Sequence, residues 1–151
     1  MNLFEKVRLF PDAVKGQLFC DPERNGEYKF LKKFLSTNEK LTIFDVGANV
    51  GDYSLKILSI NSNVKIYCFE PVKNTFEKLS ENIRHFKNVK LNNIALGEIA
   101  KEDYIYVYGN KAGVNSLYFH EYHASIASNV IKEKILIKSW IRLCWKIIFP
   151  K

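Results

Sequence analysis

Cysteine is scarce in this chain and poorly placed for cross-linking. Cys20, Cys68 and Cys144 are far apart, odd in number and never in Cys-x-x-Cys spacing. That argues against a disulfide framework and against a zinc site, and leaves buried thiols in a reducing cytoplasm as the simplest account. Long apolar runs are missing too. No stretch approaches the roughly 20 residues that a membrane-spanning helix needs. The first residues, MNLFEKVRLFPDAVKG, mix acids with bases and hold no apolar core segment, so they do not read as a secretory leader. There is no low-complexity block and no internal repeat. Acids are outnumbered, 16 Asp and Glu against 23 Lys and Arg, a net charge of +7. Such an excess suits a polyanionic partner: nucleic acid, an anionic membrane or an acidic glycan. Here the lysines are spread along the chain, in a Lys/Ile/Asn-rich composition of the kind that genome base content produces. No nucleic-acid partner is expected.

What remains is the composition of an ordinary globular domain, with 47% apolar and 26% charged residues over 151 positions, enough to bury one core. Residues 1–26 read as a peripheral segment closed by the turn signals Asp21-Pro22 and Asn25-Gly26. EYKFLKKFLSTNEK places Tyr28, Leu31, Phe34 and Leu35 at helical spacing and predicts a helix over about 27–36. KLTIFDVG is a buried strand and DYSLKILSI a helix. NVKIYCFEP is a second strand, VKNTFEKLSENIRHF a helix with Phe76, Leu79, Ile83 and Phe86 on one face, and NVKLNNIALGE a third strand that ends at Gly97. The order β-α-β-α-β predicts an α/β fold with a parallel sheet. DYIYVYGN and AGVNSLYFH then follow each other without a helix, which predicts an added antiparallel β-hairpin. A short strand is expected at about 134–138, before an apolar, cationic tail.

The chemistry concentrates where the first strand stops. Ligands of open parallel sheets sit beyond the C-terminal ends of the strands, and Asp45-Val46-Gly47-Ala48-Asn49-Val50-Gly51 lies there. Gly47 permits a tight turn and a close approach to a ligand, Ala48 keeps the loop low, and Gly51 can pack where the next helix begins. The loop N–H groups are expected to point at a docking polar group. The second strand ends at Glu70, about 25 residues beyond Asp45, the place of the acid that takes ribose hydroxyls in nucleotide-binding α/β folds. The bland alternative makes Gly51 a packing residue and Glu70 a solvated strand end. Asn93, Ile94 and Ala95, at the third strand tip, either flank the same pocket, with Ile94 and Ala95 against a flat base, or merely end a strand. The loop lacks the Lys-Ser/Thr of a P-loop and the middle glycine of Gly-x-Gly-x-x-Gly. A pyrophosphate clamp, and with it a nicotinamide or flavin oxidoreductase, is therefore disfavoured, and S-adenosylmethionine suits the loop better.

FDVGANVGDYS, YCFEP and ENIRHFKNVKLNNIALGE, in this order and spacing over about 27–120, resemble the FkbM family of S-adenosylmethionine-dependent methyltransferases. The resemblance implies a Rossmann-like class I methyltransferase fold and methyl transfer to a hydroxyl of a sugar or natural product. It implies that Asp45, Gly47, Asn49 and Gly51 surround the methionine part of the cofactor, that Glu70 holds the ribose, and that Ile94 and Ala95 lie beside the adenine. Tyr28 and Phe30 either help cover the cofactor or pack in the core, and Asn115 and Ser116 are candidates for the acceptor side.

The pattern then departs from the family. The Thr/Ser-Leu-Asp segment after a strand like KILIK, and the later strand of the type Leu-Lys-Ile-Asp-x-Glu-Gly, have no counterpart after Lys138. The expectation is a methyltransferase-like domain at 27–138, incomplete at its C-terminus, with a divergent tail at 139–151 that a frameshift would explain. The first strand would then be an exposed edge. For the tail, with Trp140, Ile141, Leu143, Trp145, Ile148 and Phe149 among basic residues, three roles stay open: packing on the broken sheet, lying on an anionic membrane, or an unstable end. No catalytic base is assigned. His85, on a helix, and His120 and His123 read either as surface histidines or as a base for a hydroxyl acceptor, and the last two lack a third metal ligand. The two function readings are a methyltransferase of a small-molecule or glycan acceptor and a non-catalytic remnant or cofactor-binding module of the same fold.

Overall fold

The computed structural model describes residue 22 and residues 25–37, 41–109 and 114–148. Most of the expected 1–26 segment, Cys20 within it, lies outside these residues. Helix α1 (Glu27–Ser36) starts from a turn in which Gly26 takes a left-handed conformation and Asn25 Oδ1 accepts the Glu27 N–H at 2.9 Å. This fills one of the donors that a helix start leaves open. Leu31 and Leu35 are buried, whereas Phe34, at the same helical spacing, is exposed and stacks on Phe30.

Strand β1 (Thr42–Val46) runs parallel to β2 (Lys65–Phe69), and β2 runs parallel to β3 (Val89–Asn92), in the order β1-β2-β3. Helices α2 (Asp52–Ile60) and α3 (Lys73–Ile83) are the crossovers. One face of the sheet, with Ile43, Ile66 and Cys68, packs against Leu31 and Leu35 of α1, Ile57 and Leu58 of α2, and Leu79 and Ile83 of α3. Ile66, Leu79 and Ile83 are fully buried, each contributing about 1.5–3 kcal/mol of burial. The α/β class with a parallel sheet is what the sequence predicts. On the other face Phe44 stacks 5.5 Å from Tyr67 and 6.2 Å from Phe69, centroid to centroid. The outer edge of β1 has no strand beside it among the described residues, and Val46 at its tip is 58% exposed.

The expected third strand divides in two. Asn93 donates from Nδ2 to the carbonyls of Glu70, at 2.8 Å, and Pro71, at 3.0 Å. The chain bends at Ile94 and continues as β4 (Ala95–Gly97) in a second sheet. That sheet has the order β4-β6-β5, with β4 parallel and β5 (Lys101–Val107) antiparallel to β6 (Ile131–Ser139). The added antiparallel pair therefore forms, but β5 takes β6 as its partner. Of the 112–120 stretch expected as the second hairpin strand, the described residues 114–120 contribute one bridge, Tyr106 to Ser116. The reason is side-chain packing: the Tyr108 hydroxyl accepts the His120 N–H at 2.7 Å and Asn115 Oδ1 accepts the Tyr108 N–H at 3.2 Å, curling this segment over a fully buried Tyr108. Helix α4 (Glu121–Ile126) follows. Val72, Ile105, Ile135 and Ile137 form a second core, and the Lys73 N–H reaches Glu133 Oε1 at 2.8 Å, which joins the start of α3 to β6. The last described element, α5 (Trp140–Ile148), continues from β6 without a loop.

Candidate functional site

The tips of β1, β2 and β3 converge on the loop between β1 and α2. Gly47, at φ +78°, and Asn49, at φ +50°, turn the chain, and Gly51, at φ +98°, starts α2. A Cβ on Gly51 would stand 2.9 Å from Leu79 Cδ1, so the helix-packing role weighed for this glycine is real. At Gly47 a Cβ would meet nothing within 4 Å: the space over this residue is open.

The loop N–H groups do not point outward as expected. Those of Gly47 and Ala48 both go to the Phe69 carbonyl, at 2.9 and 3.0 Å, and that of Gly51 goes to the Ala48 carbonyl at 2.9 Å. The Asn49 N–H goes to Glu70 Oε2 at 3.0 Å. A loop that spends these four donors inside the protein is no phosphate cradle, consistent with the missing P-loop lysine. Asn82 of α3 donates from Nδ2 to the Val50 carbonyl at 2.8 Å and holds the far side of the loop.

Glu70 is the clamp of this arrangement. It is 6% exposed, not a solvated strand end. Oε1 accepts the Val72 N–H and Oε2 the Asn49 N–H, both at 3.0 Å. Burial pushes its carboxyl above the ordinary carboxylate range, although both N–H donors pull it down. Each oxygen keeps a second lone pair, so the group can still accept two further donors. Asp45 sits behind the loop, where Oδ2 accepts the Ser54 hydroxyl at 2.6 Å. Burial raises its carboxyl too, against the pull of that hydroxyl. Ser54 also lies 3.2 Å from Cys68 Sγ, a buried thiol that desolvation pushes up to about 11. The side-chain oxygen Oδ1 of Asn49 is buried and has no hydrogen-bond partner among the described residues.

Beside the loop lies a cleft of about 380 Å³, within the usual range for a small-molecule site of about 300–1,000 Å³. Gly47, Ile94, Ala95, Asn115 and Ser116 line it together, so five residues picked from separate segments meet at one place. Asp45, Ala48, Asn49, Gly51 and Glu70 are not in its lining. Phe69, Leu117 and Tyr118 line it as well. The sequence reading missed them because Phe69 looks like any buried strand residue, and Leu117 and Tyr118 reach the cleft only through the curl over Tyr108. Tyr28 packs against Tyr53, with ring centroids 6.2 Å apart, and Phe30 is 68% exposed. His85 lies just past the end of α3, not on it, with its ring 4.2 Å from that of Phe86. His120 Nε2 is 3.3 Å from Ser116 Oγ, and the His120 and His123 rings are 5.4 Å apart. The described residues contain no group of three or more His, Cys, Asp or Glu side chains that could hold a metal ion.

No protein-family model matches the chain, and no curated protein sequence matches it. Solved structures resemble it over part of its length. The precorrin-6y C5,15-methyltransferase of Geobacter metallireducens GS-15 is 21% identical over 43% of this chain and 35% of its own, with a TM-score of 0.37. A SAM-dependent methyltransferase of Agrobacterium tumefaciens is 15% identical over 50% of this chain and 25% of its own, with a TM-score of 0.41. The 23S rRNA methyltransferase ErmE is 15% identical over 43% and 27%, with a TM-score of 0.34. The chain thus spans well under two thirds of the length of these structures.

Proposed function

We propose that residues 27–138 form a methyltransferase-type domain of the FkbM kind that binds S-adenosylmethionine at the β1 loop. The observation that carries this reading is the double clamp of Glu70, which holds the Asn49 N–H and the Val72 N–H on one buried carboxylate and so sets the loop beside the cleft. The residues present suit the cofactor. Asn49 Oδ1, buried and unmatched among the described residues, would accept from the ammonium of the methionine part. The free lone pairs of Glu70 would take ribose hydroxyls, Ile94 and Ala95 would flank the adenine, and the open space over Gly47 would admit the chain of the methionine. Asp45, Ala48 and Gly51 would act by shaping the loop.

S-adenosylmethionine supplies a methyl group on a sulfonium sulfur. The chain's part is to align an acceptor hydroxyl with it. Asn115 and Ser116, which line the cleft together with Gly47, would orient a hydroxyl of a small-molecule or glycan acceptor, in a cytoplasmic setting. A second reading has its own support. Among the described residues, no ionisable side chain apart from the Tyr118 phenol lines the cleft, and Val46 at the β1 edge is exposed. That favours a module of the same fold that holds the cofactor without transferring the methyl group.

Calorimetric titration with S-adenosylhomocysteine tests both readings. Binding that weakens in Glu70→Gln supports the cofactor site, and methyl transfer to hydroxyl acceptors then separates enzyme from module. A folded chain that takes up no S-adenosylhomocysteine rules out the site.

A further inference from the structure

Helix α5 has three sides with different chemistry. Leu143, Cys144 and Ile147 are half-buried, and Leu143 and Arg142 border a cleft of about 480 Å³ against Leu136 and Ile137 of β6. Trp140, Ile141 and Trp145 face outward with 51%, 56% and 65% of their surface exposed. Arg142 is also exposed. An ordinary solvated helix shows charge on its outer side, and a core helix buries its tryptophans. This one exposes both of its tryptophans beside Arg142.

The surroundings are basic. Residues 131–151 hold six Lys or Arg and one Glu, so most of the net charge of +7 is gathered at this end. The outward row of β6 reads Lys132, Lys134, Leu136 and Lys138, all exposed. Lys134 pairs with Glu102 at 2.7 Å, but neither Lys138 nor Arg142 makes an ion pair among the described residues. The apolar side thus carries at its border two cations that line clefts with Glu98 and Glu102 but pair with neither. A second copy of this chain would bring the same cations to the same border, face to face. An anionic lipid surface offers the complement to both halves: phosphates for the cations, and a headgroup–acyl boundary where tryptophan is most stable. No described helix is long and apolar enough to cross a membrane, so α5 would lie in the surface.

We propose that α5 docks the domain on an anionic phospholipid membrane, with Trp140, Ile141 and Trp145 inserted and Lys138 and Arg142 on lipid phosphates. Trp140 and Trp145 are the two tryptophans of the chain, so intrinsic tryptophan emission reports on this helix alone. The experiment compares vesicles of phosphatidylcholine with vesicles containing about 30% phosphatidylserine, using the full chain and reading emission and co-sedimentation. The expected result is a blue shift and co-sedimentation on the anionic vesicles, both reversed by high salt. Each basic residue near the surface is worth about five-fold in partitioning, so Lys138→Gln with Arg142→Gln lowers it about 25-fold. Arg142→Lys, which keeps the charge, binds like the parent, and Ile141→Ser weakens binding without a change in far-UV circular dichroism. Absence of binding to anionic vesicles overturns the proposal, as does equal binding to neutral ones. A concentration-dependent dimer whose emission is already blue-shifted without vesicles also overturns it, and assigns the face to a second copy.

Discussion

The backbone N–H of Asn49 and the carboxylate of Glu70 meet at 3.0 Å across the gap between the β1 loop and the tip of β2. Twenty-one positions separate the two residues, yet one bond sets the shape of the loop, because Asn49 is held there at a positive φ that asparagine tolerates better than most residues. The same carboxylate takes the Val72 N–H, so the segments after β1 and after β2 share one anchor.

Removal of that anchor has a calculable effect. Glu70→Ala leaves two backbone donors unmatched, a loss of about 1–3 kcal/mol each, offset in part by relief of a buried charge. Glu70→Gln keeps one accepting oxygen and loses less. Urea unfolding of the two variants should rank them in that order, with Ala the weaker. An Ala variant as stable as the parent would show that the clamp does not hold the loop.

The two loop glycines should respond differently to alanine. Gly51→Ala combines a left-handed backbone with a Cβ 2.9 Å from Leu79 Cδ1, so strain and overlap add, to about 3 kcal/mol or more. Gly47→Ala has the same kind of backbone but open space, and costs about 1–2 kcal/mol. A thermal melt that lowers the midpoint more for Gly47→Ala than for Gly51→Ala would contradict the packing described here.

Glu70 and Asp45 give stability an unusual pH slope. Burial raises both carboxyls in the folded chain above their ordinary values of 4.5 and 3.8. Between the ordinary and the raised value the native state therefore holds more protons than the unfolded state. The favourable contribution is complete below the ordinary value and is lost as pH rises through the raised one. The urea midpoint should accordingly decline as pH rises from the ordinary carboxylate values through the raised ones, and Glu70→Gln should flatten the decline. A midpoint that climbs through the window, with the same slope in Glu70→Gln, would mean that Glu70 is not desolvated.

Cys68 should be chemically silent. Its side chain is fully buried beside Ser54, and desolvation pushes the thiol up to about 11. At about pH 8 only about one molecule in a thousand would carry the thiolate. Labelling with a chromogenic disulfide should therefore miss Cys68 in the native chain and reach it in urea, with peptide mapping to separate it from Cys20 and Cys144. Fast native labelling at Cys68 would show that this part of the core opens.

Much of this protein was decided by local sequence. DYSLKILSI forms a helix over Asp52–Ile60, and EYKFLKKFLS one over Glu27–Ser36, because apolar spacing and an αL glycine before each helix act over a few residues. The order of strands and helices gives the parallel sheet β1-β2-β3, and it places the Asp45–Gly51 loop and Glu70 at neighbouring strand tips, since parallel neighbours end on the same side. Only the tertiary structure decided the rest. NVKLNNIALGE reads as one strand, and it breaks at Asn93 because that amide finds the carbonyls of Glu70 and Pro71 on another segment. β5 pairs with β6, a strand more than twenty residues further on, while the nearer segment reaches the opposite edge of β5 only at Ser116. The loop donors, expected to face a ligand, turn inward because the Phe69 carbonyl and the Glu70 carboxylate lie within their reach. Periodicity and turn chemistry are written in neighbouring residues. The partner of a side-chain amide, a carboxylate or a strand edge depends on which distant atoms folding brings close, and no spacing along the chain records that.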